Sequence, residues 1–504
     1  MKLYLNHPFH YEAENLTRLF FPSEKIQVIR EPFIEGESKA PSENSDGSEG
    51  FIVSSLQKAD GSYKITAYVK VGERESYDES FVSDTLAEKG FFTEEKQGEE
   101  RDKAELLMAQ CLYKALSELA SYTPPWGILT GVRPSKLYRS LYEEKGYGAF
   151  DFFKNELFVS ENKIKLLHSI VTRQKGIIDL SKENSYSLYV SIPFCPTRCE
   201  YCSFVSHSIS HFKKIPEYIG LLIKELEEIS KIASELGLKL ETIYFGGGTP
   251  TSLNEAQLKS VTDAVAALFP LEGVREYTIE AGRPDTLNEE KLRIMKAAGV
   301  TRISINPQTF KDEILRKIGR CHTAAETIDA FNMARQMGFD NINMDLITNL
   351  PGDTPEGFMF SLNKTMELNP ESVTVHSLAV KRSSALARTE GINAEWEPSV
   401  YENAYKALEE KGYNPYYLYR QSKSAGNREN TGFSKEGFES LYNIYMMEET
   451  HTVLAAGAGG VSRLKEPNGE FIDRIFNFKY PYEYVSNFEE ILRRKDKIKA
   501  FYEF

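Results

Sequence analysis

Cysteine is scarce: five in 504 residues, an odd number, with three in a single loop. That distribution excludes a disulfide framework. No run approaches the ~18 apolar residues of a membrane span. The start, Met1-Lys2-Leu3-Tyr4-Leu5-Asn6-His7-Pro8, has no apolar core of signal-peptide length. A reducing cytoplasm is therefore the expected compartment. Positive charge is also in deficit. The formal net charge of −13 argues against non-specific binding to nucleic acid or to an anionic membrane surface. Neither a G-x-G-x-x-G fingerprint nor a Gly-Lys-Ser/Thr phosphate loop occurs, and no repeat of about 20–50 residues is found. What remains is an ordinary globular composition, 41% apolar and 27% charged, with length for about three domains.

The clustered cysteines stand in Ile192-Pro193-Phe194-Cys195-Pro196-Thr197-Arg198-Cys199-Glu200-Tyr201-Cys202, directly after the strand-like Tyr189-Val190-Ser191-Ile192. Three thiolates on one loop can hold three irons of a [4Fe–4S] cluster and leave the fourth iron open to a ligand. A zinc site is the alternative, with His207 as the conceivable fourth ligand, because structural zinc takes four. Cys111 and Cys321 lack the paired spacing to complete such a site. A second motif, Gly246-Gly247-Gly248-Thr249-Pro250-Thr251, ends the run Thr242-Ile243-Tyr244-Phe245. Successive glycines at a strand end let the backbone approach a ligand closely. Alone this loop is weak evidence. Together, the two motifs resemble the radical S-adenosylmethionine (SAM) superfamily, in the branch around the oxygen-independent coproporphyrinogen III oxidases.

Residues 1–180 read as an α+β domain. Asp60-Gly61 predicts a hairpin turn between two strands, the second with Tyr63, Ile65, Ala67, Val69 and Val71 on one face. Lys103 to Leu119 predicts an amphipathic helix with Leu112, Leu116 and Leu119 on one side and a buried Cys111. Glu35 to Gly50 reads as a solvated loop. Pro134 suits the first turn of a helix after Arg133. From 181 to 412 strand and helix alternate. The strand candidates are 186–192, 240–245, 276–280, 302–306, 341–347 and 372–378, with helical periodicity after each and Gly299, Gly338 and Gly412 as C-caps. Six units in series predict a parallel sheet with right-handed crossovers, a partial six-unit β/α barrel. Ligands belong at the C-terminal ends of its strands. Residues 413–504 read as a mixed extension, with an aromatic strand at 415–420 and a tight small-residue loop at 455–461.

Polar residues recur at the strand ends. Glu280 closes the third strand. Gln308 and Arg320 follow the fourth, and Asp345 ends the fifth. A carboxylate suits the amino group of SAM, and a guanidinium fork suits its carboxylate. Each alone would more often be structural; their recurrence around one mouth is what favours a site. Here the resemblance to the coproporphyrinogen oxidase family extends over residues 186–380. Gln308-Thr309-Phe310, Gly319-Arg320 and Met344-Asp345-Leu346-Ile347 with Leu350-Pro351-Gly352 carry it. Gly127-Ile128-Leu129-Thr130-Gly131-Val132-Arg133-Pro134 and Ser377-Leu378-Ala379-Val380-Lys381-Arg382 resemble the HemZ branch in particular. The resemblance implies Cys195, Cys199 and Cys202 as cluster ligands. It implies Tyr189, Tyr201, Gly247, Gly248, Thr249, Glu280, Gln308, Arg320, Asp345 and Ala379 as SAM contacts.

The implied reaction is oxidative decarboxylation of coproporphyrinogen III propionates to vinyl groups through a 5′-deoxyadenosyl radical. An electron donor such as flavodoxin or ferredoxin is implied as a partner. No catalytic residue is assigned. One departure stands out. The family's well-defined oxidases carry a further cysteine two residues after the third ligand, where this chain has Phe204, as haem-handling HemW-like relatives do. The alternatives are therefore a haem-binding or haem-delivery protein on the same fold, or another radical reaction on a porphyrin. An acidic tetrapyrrole needs local positive charge, for which Arg133, Lys381 and Arg382 are candidates. His322 is more often a local hydrogen-bonding residue than a ligand.

Overall fold

The structure is a computed structural model. It describes residues 1–503 apart from 23, 31–49, 60–61, 84–98, 205, 380–383, 385, 387–395 and 422–423. The chain forms two compact units, Met1–His168 and Ser169–Phe504. Among the described residues no helix is long and apolar enough to cross a membrane.

In the first unit, strands β1 (Lys2–Leu5), β2 (Gln27–Arg30), β3 (Gly50–Ala59), β4 (Ser62–Val71) and β5 (Arg74–Ser83) form one sheet in the order β2-β1-β3-β4-β5. β3 and β4 pair as far as Ala59↔Ser62. Their turn at Asp60-Gly61, like most of the Glu35–Gly50 segment, lies outside the described residues. Ile65, Ala67 and Val69 alternate inward, as a half-buried strand must, and pack with Leu112, Leu116 and Leu119 of the helix Glu99–Ala120. Cys111 is wholly buried there. Desolvation pushes its thiol well above the usual range, helped by the nearby Asp78, so it is inert. Arg133 directly precedes the helix Pro134–Lys145, with the proline in its first turn.

The second unit holds β6 (Ser185–Ile192), β7 (Phe194–Cys195), β8 (His207–Ser208), β9 (Lys239–Gly247), β10 (Glu276–Glu280), β11 (Arg302–Ser304), β12 (Ile342–Thr348) and β13 (Ser372–Ser377). β14 (Asn414–Arg420), β15 (Glu429–Ser434), β16 (Thr452–Ala456), β17 (Val461–Lys465) and β18 (Ile472–Phe476) follow. All but the short β7–β8 pair join one 11-stranded sheet, ordered β14-β15-β13-β12-β11-β10-β9-β6-β16-β17-β18. The six expected units are its parallel centre, with helices Ile215–Glu235, Glu255–Leu268, Glu289–Ala297, Ala324–Gln336, Pro355–Leu368 and Pro398–Glu410 after successive strands. Gly299, Gly338 and Gly412 follow helix ends with φ of 83°, 82° and 81°. This is the partial six-unit β/α barrel that the alternation predicts.

The strands explain where a ligand can go. Leu188, Val190, Ile243, Phe245, Ile279, Ile303 and Met344 face the helices in the main core. Their neighbours in sequence point the other way and are polar: Ser187, Thr242, Thr278, Ser304, Asn343, Thr374. A barrel that needed only to fold would fill that interior with branched apolar side chains.

The C-terminal residues join the same sheet, and the expected aromatic strand at 415–420 is β14. β14 and β15 extend the sheet beyond β13 in antiparallel fashion. Ala455 and Ala456, expected in a loop, end β16, which pairs parallel with β6. Only Gly457 to Gly460 turn. Small side chains allow this because Gly457 runs against the Ser191 carbonyl, where a Cβ would clash. The turn is tied down by Glu225, wholly buried on Ile215–Glu235. Its carboxylate accepts from Gly457 N at 2.8 Å, Asn477 Nδ2 at 2.7 Å and Tyr484 Oη at 2.6 Å, and lies 2.8 Å from the buried Lys495 Nζ. Removing the cation strands a buried carboxylate. Lys495→Met is expected to cost about 3–5 kcal/mol in denaturant unfolding, and Glu225→Gln/Lys495→Met clearly less; equal losses would show that the charge pairing is immaterial.

Candidate functional site

The cysteine loop and the glycine loop are bound to each other through the backbone. Gly248 N donates to Ile192 O at 2.8 Å and Thr249 N to Phe194 O at 2.7 Å. A Cβ on Gly248 would stand 2.6 Å from Phe194 O, so only glycine allows this approach. Gly247, with φ +106°, turns the chain into it. The result brings Thr249 Oγ1 to 3.4 Å from Cys195 Sγ. Arg283 reaches the same loop from beyond β10. Its Nη1 lies 3.6 Å from Cys199 Sγ and its Nη2 donates to Thr197 Oγ1 at 3.1 Å.

Cys195, Cys199 and Cys202 all line one cavity of about 330 Å³ at the C-terminal ends of the barrel strands. Burial pushes the Cys195 thiol up, and that of Cys202 to about 11. Among the described residues no three His, Cys, Asp or Glu side chains are gathered tightly enough to hold a single metal ion. A cubane separates its thiolates onto different corners, so three thiols facing one cavity suit a cluster. His207 lies outside the cavity lining, against Tyr480 and Tyr482, which removes the conceivable fourth zinc ligand.

Gly247, Gly248, Thr249, Glu280, Gln308, Arg320, Asp345, Ala379 and Tyr201 line the same cavity. Tyr189 does not; it stacks behind Tyr244 at 6.2 Å, and Tyr244 supplies the cavity surface. Tyr244 Oη donates to Glu280 Oε1 at 2.6 Å. Even so, burial lifts the Glu280 carboxyl to about 7. Asp345 fares differently. Burial would raise it, but His376, 3.6 Å away, together with Asn343 at 2.7 Å, holds it below the usual carboxylate range. Gln308 takes the left-handed conformation, φ +66°, rare for a residue with a side chain. It is held there by backbone bonds to Asp345 O (2.9 Å) and from Ile347 N (3.1 Å). Arg320 Nη1 donates to Asn306 O at 2.7 Å and Gly282 O at 3.1 Å.

Several buried polar atoms lining the cavity have no protein partner: Gln308 Oε1, Asn306 Oδ1, Ser304 Oγ and Arg320 Nε. Such atoms normally find partners. Donors and acceptors left together beside ionisable carboxyls fit a zwitterionic, hydroxyl-bearing ligand, so the residues suit both a cluster and SAM. Neither motif nor periodicity in the sequence pointed to Arg283, Asn343 or His376. Tyr417, Tyr419, Asn430 and Asn443 come from the C-terminal segment, and the only signal was the aromatic run at 415–420. Phe204 lines the mouth, 67% exposed. Cys321 is exposed and outside the lining. His322 is buried beside Arg320 and Asp285; burial, then the arginine charge, lowers it to about 3, leaving it neutral. Arg133 belongs to the other unit. Lys381 and Arg382 lie outside the described residues.

The radical SAM superfamily model matches residues 189–364. A Bacillus subtilis (strain 168) protein named oxygen-independent coproporphyrinogen-III oxidase-like protein HemZ is 37% identical over 462 residues, 89% of this chain and 90% of the relative. The heme chaperone HemW of the same organism is 36% identical over 309 residues, 59% of this chain and 77% of the relative. A solved structure titled as the radical SAM enzyme coproporphyrinogen III oxidase (HemN) from Escherichia coli matches with a TM-score of 0.49 and 24% identity, over 63% of this chain and 72% of that one.

The backbone contact between the two loops yields a prediction. Gly248→Ala must push the glycine loop off Phe194, an overpacking cost of about 1–3 kcal/mol. Iron per chain after anaerobic reconstitution should fall several-fold relative to wild type. Full iron content in that variant would show that the close approach is not needed.

Proposed function

The chain belongs to the HemZ-like, oxygen-independent coproporphyrinogen-III oxidase-like family of the radical SAM superfamily, which uses a [4Fe–4S] cluster and SAM, and on that premise we propose that it converts propionate side chains of coproporphyrinogen III to vinyl groups. The observation that carries the reading is one cavity lined by the three thiols, by Glu280 and Arg320, and by buried polar atoms without a protein partner, Gln308 Oε1 and Arg320 Nε among them. When bound, the cluster and SAM supply a 5′-deoxyadenosyl radical, able to remove hydrogen from an unactivated carbon. Each propionate then loses one hydrogen atom, CO2 and one electron, the electron passing to a one-electron acceptor.

This chain's residues supply binding and orientation. Cys195, Cys199 and Cys202 would hold the cluster. Glu280 would take the amino end of SAM and Arg320 its carboxylate, with Gln308, Asp345, Gly247, Gly248, Thr249, Tyr201 and Ala379 as the further SAM contacts. Tyr189 acts through the stacked Tyr244. Tyr244, Tyr417, Tyr419 and Leu378 wall the cavity and keep water from the reacting carbon.

A second reading has its own support: haem binding or delivery. Phe204 stands where the family's decarboxylating members carry a cysteine, and HemW is named a heme chaperone. Anaerobic incubation of reconstituted protein with SAM, reductant and coproporphyrinogen III, read by mass, separates the two. Loss of one CO2 and two hydrogens per propionate is expected. SAM cleavage without vinyl product, together with tight haem binding, would favour the second reading.

The Glu280 assignment carries its own prediction. With a carboxyl near 7 in the ligand-free protein, an amino ligand must bind the ionised form, so protons compete with it. Lowering pH from 8 to 6 should weaken SAM binding about tenfold. Glu280→Gln should bind weakly and lose that pH dependence; a variant with wild-type affinity and slope would remove Glu280 from the site.

A further inference from the structure

Arg283 leaves the end of β10 and reaches back to the cysteine loop. Its backbone is fixed first. Thr286 N and Thr286 Oγ1 donate to the Arg283 carbonyl at 2.9 and 2.7 Å. Thr286 is bound in turn to Thr251 Oγ1 at 2.6 Å and, through its own carbonyl, to the buried Lys291 Nζ at 2.9 Å. Arg283 itself is 2% exposed, and all five of its guanidinium N–H groups have an acceptor. Nε meets Asp285 Oδ1 at 3.2 Å. Nη2 meets Asp285 Oδ2 at 3.4 Å and Thr197 Oγ1 at 3.1 Å. Nη1 meets Thr197 O at 3.4 Å and Cys199 Sγ at 3.6 Å.

That arrangement excludes two ordinary roles. Arg283 lines the cavity, but a guanidinium with every N–H placed has none left for SAM. Nor is it only a counter-ion. Asp285 takes two of the five N–H groups; the other three go to the cysteine loop, and one of them ends on the sulfur of a cluster ligand. A second buried guanidinium, Arg320, also lies near Cys199. Its Nη1 is spent on Asn306 O and Gly282 O, and its charge is the one assigned above to the SAM carboxylate. Arg283 is the cation at Cys199 with no ligand to take.

We propose that Arg283 sets the reduction potential of the cluster through Cys199. The inference rests on the cluster, which both readings above share, and not on the substrate. One-electron reduction adds a negative charge that spreads over the cluster and its cysteine sulfurs. A cationic N–H···S bond stabilises that charge more than it stabilises the oxidised state, so it raises the potential. Net charge and hydrogen bonds to the sulfurs are the protein's levers on such centres. A charged donor acts about twice as strongly as a neutral one, such as Thr249 Oγ1 on Cys195. Burial keeps water from screening the arginine. Asp285, the more exposed partner of the ion pair, offsets part of its charge.

The test uses reconstituted full-length protein without SAM or substrate, poised anaerobically at a series of potentials and read by the EPR signal of the reduced cluster. Iron per chain is measured alongside. Arg283→Met should make reduction at least tenfold less favourable, a downward shift of about 59 mV. Arg283→Lys, which restores the charge without the fork, should recover at least half of that shift. Asp285→Asn leaves the arginine's charge unbalanced and should move the midpoint upward. A plain loop anchor predicts otherwise: less iron per chain in Arg283→Met, with an unchanged midpoint for the clusters that remain. That result overturns the proposal, as does a midpoint in Asp285→Asn at or below that of wild type. If Arg283→Met takes up no cluster, Asp285→Asn decides: a raised midpoint supports the role and an unraised one removes it. No turnover is measured, so failure to convert coproporphyrinogen would sink the decarboxylase reading and leave this result standing.

Discussion

The approach of the glycine loop to the backbone of Ile192–Phe194 is the constraint on which the site depends. Two backbone hydrogen bonds, Gly248 N to Ile192 O and Thr249 N to Phe194 O, close a gap that no Cβ would tolerate. They fasten the end of β9 beneath the cysteine loop, so that the donor set leaving β6 sits over the mouth of the barrel and not beside it. Everything else in the cavity takes its position from that junction: Thr249 against Cys195, and Arg283 against Cys199 from the next strand.

The barrel carries its chemistry on the face that folding does not need. Apolar residues of β6, β9, β10, β11 and β12 are spent against the helices. Their alternates place two carboxyls in one cavity with opposite behaviour. Glu280, which accepts from Tyr244, is lifted by burial to about 7. Asp345, beside His376 and Asn343, stays ionised. The difference lies in the neighbours and not in depth, and it gives one site both a proton-sensitive acceptor and a permanent one. The unpartnered atoms of Gln308, Asn306, Ser304 and Arg320 are a folding cost that a bound polar ligand offsets.

The C-terminal segment belongs to this machinery. β14 and β15 prolong the sheet past β13, and Tyr417, Tyr419 and Asn430 from them complete the cavity wall. At the other edge β16 pairs with β6, and the Glu225–Lys495 network holds the following turn against Ser191, just before the cysteine loop. The ends of the site are thus braced from both edges of one sheet.

The sequence by itself determined the barrel and the two loops. Strand–helix alternation is a local, periodic signal, so the strands at 276–280 and 372–377 and their helices were readable to within three residues. The cysteine spacing and the glycine run were readable because each function needs particular residue types close together in sequence. The strand-end residues Glu280, Gln308, Arg320 and Asp345 could be named, but not their states. That burial lifts the Glu280 carboxyl to about 7 while His376 helps hold Asp345 below the usual carboxylate range depends on burial and on a neighbour from the next strand, which only the sheet supplies. The same holds for Ala455 and Ala456: small residues read as a loop, and a strand emerges only because β6 offers a free edge. Arg283 on Cys199 had no spacing to betray it. Pairing across a sheet and burial are relations between distant segments, and only the tertiary structure decides them.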